Sequence, residues 1–323
     1  MPADEGGPDL ERGEGCLRVF PPAPPACKVM GGEPAPPLVS DPLPPCESVA
    51  NFASPSLTTP TAPPVAVQPR LLKAFLWYAR RYVARHFHAL RVAGDGRLPD
   101  LPRGPLVVVM NHPSWWDPMI GLAIISEMPS WRRHFGPIDV AGLAQYPFLG
   151  KIGFFGVEPG TARGGIQFLR RSLEILASPE STLWITAQGR FVDARDRPVR
   201  LREGIGHLAR RMRGGWILPM AVEYPFWDDR CPEALARFGQ PIEVSERPAL
   251  SSGAWTARIE AALEENQDAL ATLARRRDPS AFETIVAGTA GVGGVYDMWR
   301  RVRARLRGEH FRPEHRGTKR PRA

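Results

Sequence analysis

Short runs of branched apolar residues recur through the middle of the chain, each closed by glycine, proline or a polar cluster. Residues 106–110 (LVVVM), 153–157 (GFFGV), 182–187 (TLWITA), 216–224 (WILPMAVEY) and 235–244 have the continuous apolar character of buried strands. Residues 139–141 predict a further short strand, and 143–150 a helix or turn. Between the strands, 119–128, 166–177 and 203–212 read as helices, and 258–275 as a longer helix with acidic and basic faces. Strands alternating with helices predict an α/β fold, a mixed central sheet flanked by helices.

Ahead of this core, residues 70–92 (RLLKAFLWYARRYVARHFHALRV) predict an amphipathic helix. On a helical wheel Leu71, Leu72, Phe75, Leu76, Tyr78, Tyr82, Val83, Phe87 and Leu90 gather on one side, and Arg70, Lys73, Arg80, Arg81, Arg85 and Arg91 on the other. Six cations in 23 residues exclude a comfortable membrane span. Two readings stay open: a helix lying in a membrane interface, and a surface helix packing its apolar side on the core. No stretch approaches the ~20 apolar residues that a transmembrane helix needs.

Composition changes the picture at the ends. The chain has 323 residues and 36 prolines, and the prolines crowd into the front, as in PPAPPAC and PTAPPVAV. A segment of this kind cannot bury enough surface to offset its ordering entropy. Residues 1–69 are therefore expected to form a disordered proline-rich tail, not a signal peptide, since they begin acidic and lack an apolar core. One folded domain is expected over residues 70–275, with the helix 70–92 and a core at 105–244, followed by a basic extension at 276–323. Residues 296–323 carry ten Lys/Arg against two Glu and one Asp.

Charge is unevenly divided. Up to residue 68 there are three basic and eight acidic side chains, whereas the whole chain is +8. The remainder is thus strongly basic, which points to an anionic partner: lipid head groups, coenzyme A phosphates or nucleic acid. No zinc, RRM or KH signature accompanies the basic end, and nucleic acid is not expected as a partner. Of four cysteines, only Cys231 lies in the expected folded part. No disulfide framework or paired-cysteine metal motif follows, which fits a reducing compartment.

Candidate chemistry begins where the strand at 106–110 stops. Asn111, His112 and Pro113 follow it, then Ser114, Trp115, Trp116 and Asp117. His112 is expected just past the end of a central strand, where open α/β sheets place their chemistry. Four residues separate it from Asp117, a gap that one helical turn folds back. A carboxylate there would hold one imidazole nitrogen and leave the other free as a general base. Ser114 reads as a helix cap. The bland alternative is an inert histidine capping a helix.

NHPSWWD resembles the NHx4D block of the glycerolipid and lysophospholipid acyltransferase family. Three further stretches are similar to that family's blocks, in the same order: GKIGFFGVEPGTARGG, WITAQGRF with VRLREG behind it, and ILPMAVEY. The resemblance covers residues 105–244. It implies His112 as general base and Asp117 as its partner, with Asn111, Arg163, Gln188, Gly189, Arg190 and Arg202 around the substrates. It also implies acyl-CoA or acyl-carrier protein as donor, a lysolipid acceptor, no cofactor and no metal, and a peripheral position on the cytoplasmic face of the cell membrane. The nucleophile would be the acceptor's own hydroxyl, consistent with the lack of a GxSxG elbow.

Two departures stand out. Gln188 occupies the place of the family's glutamate, and Pro159 the place of an arginine for which Arg163 is the nearest substitute. The loop with Gly160, Gly164 and Gly165 could cradle a phosphate through backbone N–H groups. These changes leave lysophosphatidic acid and other lysolipids equally open as acceptors. They also motivate the alternative of a catalytically inactive lipid-binding relative of the same fold.

Overall fold

The structure, a computed structural model, describes residues 66–245, 250–288 and 303. The expectations placed on segment 1–65 and on the basic end beyond 288, residue 303 apart, lie outside the described residues.

Helix α1 (Pro69–His86) leads into β1 (Ala89–Ala93). After it come β2 (Leu106–Met110), α2 (Asp117–Ile125), β3 (Arg133–Asp139), α3 (Val140–Gln145), β4 (Phe154–Val157) and α4 (Ala162–Leu176). Next are β5 (Ser181–Thr186), α5 (Gly204–Arg211), β6 (Gly215–Glu223), β7 (Glu233–Phe238), β8 (Ile242–Val244), α6 (Ser252–Arg276) and β9 (Phe282–Ala287). The strands form one mixed sheet in the order β4-β3-β5-β2-β6-β7-β1-β9, with β8 also paired to β6. β2 lies at its centre, parallel to both β5 and β6.

That position explains the unbroken apolar run. All five residues of β2 are buried, because helices cover both faces of a parallel sheet. Val107 and Val109 point into a core shared with Leu183, Ile185 and Ile217 and with Ile259 and Leu263 of α6. On the opposite face, Met110 of β2 and Trp184 of β5 meet α2 at Gly121. α2 is buried almost all round, with Met119, Ile120, Leu122 and Ile124 all inside.

The helix expected over 70–92 ends at His86. Phe87 turns extended (φ −114°, ψ 154°), and Ala89–Ala93 is a strand paired on both sides, with β7 and β9. Two ladders of backbone hydrogen bonds there outweigh the helical periodicity. α1 buries Phe75, Ala79 and Val83 against the domain and leaves Trp77 in solvent. Arg80, assigned to the free cationic face, instead donates to Glu127 at 2.6 Å and to the Ile285 carbonyl at 2.8 Å.

Other boundaries moved for local reasons. The strand expected over 235–244 is two strands, because Gly239-Gln240-Pro241 turns the chain and proline cannot donate to a ladder. The short strand expected at 139–141 is not formed: Asp139 ends β3, whose RHFGPID sequence lacks an apolar run, and caps α3 by accepting from the Ala141 amide, so 140–141 are helical. α6 starts at Ser252 behind the cap Ser251, whose hydroxyl accepts from the Ala254 amide. The sheet also extends past the expected domain end at 275, since β9 pairs with β1.

α5 and α6 touch at Gly206, where an added Cβ would run into the Ser252 carbonyl oxygen and the Thr256 hydroxyl. At a free helix position Gly→Ala would gain up to about 1 kcal/mol. Here overpacking of about 1–3 kcal/mol opposes that gain. Gly206→Ala is expected to lower the urea midpoint with the m-value unchanged; a raised midpoint would contradict the contact.

Candidate active site

β2 delivers its last residue, Met110, to the carboxyl edge of the sheet, and Asn111 continues the pairing by side chain. Its Nδ2 donates to the Val222 carbonyl at 3.0 Å, and its Oδ1 accepts from the Val222 amide at 2.8 Å. Asn111 is fully buried. The resemblance placed it against substrate; the structure uses both ends of its amide to strap β2 to β6.

His112 follows with its main chain held at both groups. Its N–H donates to Gln188 Oε1 at 2.7 Å, and its carbonyl accepts from the Val192 amide at 3.0 Å. The ring lies tilted against Phe191, with centroids 4.5 Å apart, and Nδ1 lies 2.6 Å from Asp117 Oδ2. A carboxylate only accepts, so Nδ1 carries the proton of the neutral ring and Nε2 presents its lone pair. The side chain of His112 remains 18% exposed while that of Asp117 is wholly enclosed.

Between the two, the chain makes one tight turn. The Ser114 hydroxyl accepts from the Trp116 amide at 3.3 Å, and the Asp117 amide donates to the Ser114 carbonyl at 3.2 Å. Ser114 is therefore not the cap of α2, which starts only at Asp117 behind Trp116; its hydroxyl closes the turn before the helix. The Ser114 amide reaches Asp117 Oδ2 at 3.2 Å. Trp116 is wedged among Tyr82, His86 and Phe87, with Phe87 edge-on at 4.8 Å. Its neighbour Trp115 is half exposed.

Asp117 takes a third donor. Tyr224, one residue past the end of β6, places its hydroxyl 2.6 Å from Asp117 Oδ1. Burial, and then the Asp117 charge and its hydrogen bond, push the phenol well above its usual range. Tyr224 is therefore protonated at neutral pH and donates to the carboxylate. No motif in the sequence marks Tyr224 for this role. Its one signal was its place, a polar side chain at the end of the strand beside β2.

Asp117 also borders an apolar cavity enclosing about 650 Å³, part of it open to solvent. Leu72 of α1, Leu122 and Ile125 of α2, and Ile152, Phe154 and Trp184 contribute to its wall. The histidine–aspartate pair thus stands past the end of a central parallel strand, with the aspartate bordering an apolar cavity. Residues 89–223 match the family model described as acyltransferase. Over that segment the chain is similar to the acyltransferase family. No curated protein matches the chain.

The remaining candidates can be placed on that segment. Gln188 is buried, and its amide oxygen is occupied by the His112 amide. It positions the histidine rather than meeting substrate. A glutamine makes this contact without burying a charge, which accounts for its presence where the family has glutamate. Gly189 adopts φ +65°, and a side chain there would strike Arg202 Nε at 2.7 Å. Arg202, with its amide bonded to the Ala187 carbonyl at 2.8 Å, and Arg190 are both exposed to solvent.

Arg163 is exposed on the first turn of α4 and makes no hydrogen bond to the other site residues among those described. The phosphate cradle expected around it is partly closed. Thr161 caps α4, its hydroxyl accepting from the Gly164 amide at 2.9 Å and its carbonyl from the Gly165 amide at 3.0 Å. No group of three or more His, Cys, Asp or Glu that would hold a metal ion occurs among the described residues.

Tyr224→Phe removes one hydrogen bond to a buried charge, a contact of about 1.5–3 kcal/mol. The variant is expected to unfold at lower urea and to lose roughly tenfold or more in kcat with KM little changed. Unchanged kcat would show that the phenol does not support Asp117. Gln188→Leu should likewise depress kcat, since it leaves the His112 amide unpaired.

Proposed function

We propose that this domain moves a fatty acyl group from acyl-CoA or acyl-carrier protein to the hydroxyl of a lysolipid, a step of phospholipid or other membrane-lipid synthesis. The observation that supports this most directly is the His112–Asp117 pair, 2.6 Å apart, with Asp117 bordering the apolar cavity. The lysolipid hydroxyl gives its proton to His112 Nε2 as its oxygen attacks the thioester carbonyl. The C–S bond then breaks, and the imidazolium returns the proton to the departing thiolate. Asp117 balances the ring charge throughout and holds the tautomer. No covalent enzyme intermediate is needed. The acyl chain occupies the cavity, and the Arg190–Arg202 loop faces the anionic head group or donor phosphates.

The same surface suits a membrane. Phe191 is 60% exposed and Trp115 49% exposed beside His112, and Trp77 of α1 is 64% exposed. Aromatic side chains next to cations are favoured at lipid head groups. No helix among the described residues is long and apolar enough to cross a bilayer. We place the protein peripherally, on the cytoplasmic face.

Thiol release from long-chain acyl-CoA, measured on the full chain with a panel of lysolipids, tests this reading. His112→Ala is expected to reduce release to background in a protein that still folds, with a lower unfolding midpoint because buried Asp117 loses one of its donors. Asp117→Asn should lose about four orders of magnitude in kcat, because an amide selects the wrong tautomer. Full activity in His112→Ala would remove the mechanism. A folded protein that binds lysolipid and turns over none of the panel would leave the inactive lipid binder.

A further inference from the structure

The cavity beside Asp117 is walled mainly by apolar side chains, with Asp117 and Thr186 near the strand ends and His134 farther down the sheet. His134, on β3, is 7% exposed and borders the cavity. Trp184 Nε1 donates to its Nδ1 at 3.1 Å. An indole nitrogen can only donate, so Nδ1 is the bare nitrogen and Nε2 carries the proton. Burial, and then the nearby Arg132, pull the ring down to about 3. The imidazole is therefore neutral at physiological pH, and its tautomer does not interchange. Nε2–H meets no acceptor among the described residues, although it is not sealed from the cavity.

Its depth is set by the sheet register. His134 lies level with Thr182, and Thr182 with Leu106, four residues below Met110. At ~3.3 Å per residue this is roughly 13 Å from the end of β2. With C–C bonds of about 1.5 Å in zigzag, roughly ten bonds of an extended chain span it. A plain alkyl chain reaching that level would strip water from the N–H and offer nothing in return. An oxygen at that level would accept from it.

We propose that the cavity is built for an alkyl chain bearing an oxygen acceptor, a keto or hydroxyl group, about ten or more bonds from its reacting end, and that His134 Nε2–H donates to that oxygen. His134 is then a specificity-determining residue for oxygenated chains. The assignment rests on the acyl-transfer reading only for which end of the chain lies at His112. Since the transferred chain and the acceptor's own chain share this chemistry, the test varies each in turn.

The probes are stearoyl-CoA, 10- and 12-oxostearoyl-CoA and 12-hydroxystearoyl-CoA with a fixed stearoyl lysolipid, and the converse series with oxygenated lysolipids and stearoyl-CoA. Binding of free stearic and 12-oxostearic acids to the full chain, by calorimetry, is measured alongside. One oxygenated chain is expected to exceed the plain chain by about two- to tenfold in kcat/KM and in affinity, the range of one hydrogen bond. His134→Phe should bring the ratio to one or below. His134→Gln, which keeps an amide donor, should retain it. Trp184→Phe frees the tautomer and should weaken the preference for keto chains more than for hydroxy chains, which keeps the test open where His134→Phe does not fold.

A ratio at or below one for every oxygenated chain in the unaltered protein, or a ratio that His134→Phe leaves intact, overturns the proposal. Should no lysolipid be acylated while the binding ratio still follows His134, the cavity assignment stands and the transfer reading falls. Should transfer proceed with a ratio indifferent to His134, the cavity assignment falls alone.

Discussion

A fully buried carboxylate is the constraint on which the site depends. Asp117 stands at the first turn of α2, out of water, where an uncompensated charge would cost far more than any single contact returns. Three donors meet it: the His112 ring, the Ser114 amide and the Tyr224 hydroxyl. The amino end of α2 adds a favourable dipole. With its oxygens engaged in this way, Asp117 holds the His112 ring in one orientation and one tautomer. The free nitrogen therefore points outward before any substrate arrives.

That arrangement is rigid because each partner belongs to a different part of the sheet. His112 extends from β2, Tyr224 from β6 and Gln188 from the loop after β5. The three strands are adjacent and parallel, so their carboxyl ends fall side by side. Asn111 ties β2 to β6 at the point where ladder pairing stops. Parallel strands bring such residues together without a flexible loop having to find them. The cavity lies on the face that α1 and α2 cover, next to the same strand ends, so the histidine–aspartate pair and the cavity share one edge of the sheet.

Sequence reasoning placed the site through its spacing and missed part of its support. NHPSWWD marks the strand end, the turn and the helix start within seven residues, all local. Gln188 was legible as a departure from a pattern, yet its role as an anchor for the His112 amide was not, because 76 residues separate the two. Tyr224 was invisible for the same reason, at 107 residues from Asp117. Asn111 shows the opposite error: a motif position was given to substrate, whereas the fold needed its amide to close a gap between strands.

What the chain alone determined was periodicity and local chemistry: the buried run 106–110, the alternation that makes an α/β sheet, and the short loop from His112 to Asp117. These depend on residues within a turn or two of each other, where composition and spacing decide the outcome. Only the tertiary structure decided that 89–93 is a strand, that 282–287 closes the sheet edge, and which polar side chains are spent on backbone rather than substrate. Those outcomes depend on partners more than a hundred residues away in sequence, as β1 on β7 and β9 shows. No local pattern encodes which distant group will be there to accept or donate a hydrogen bond.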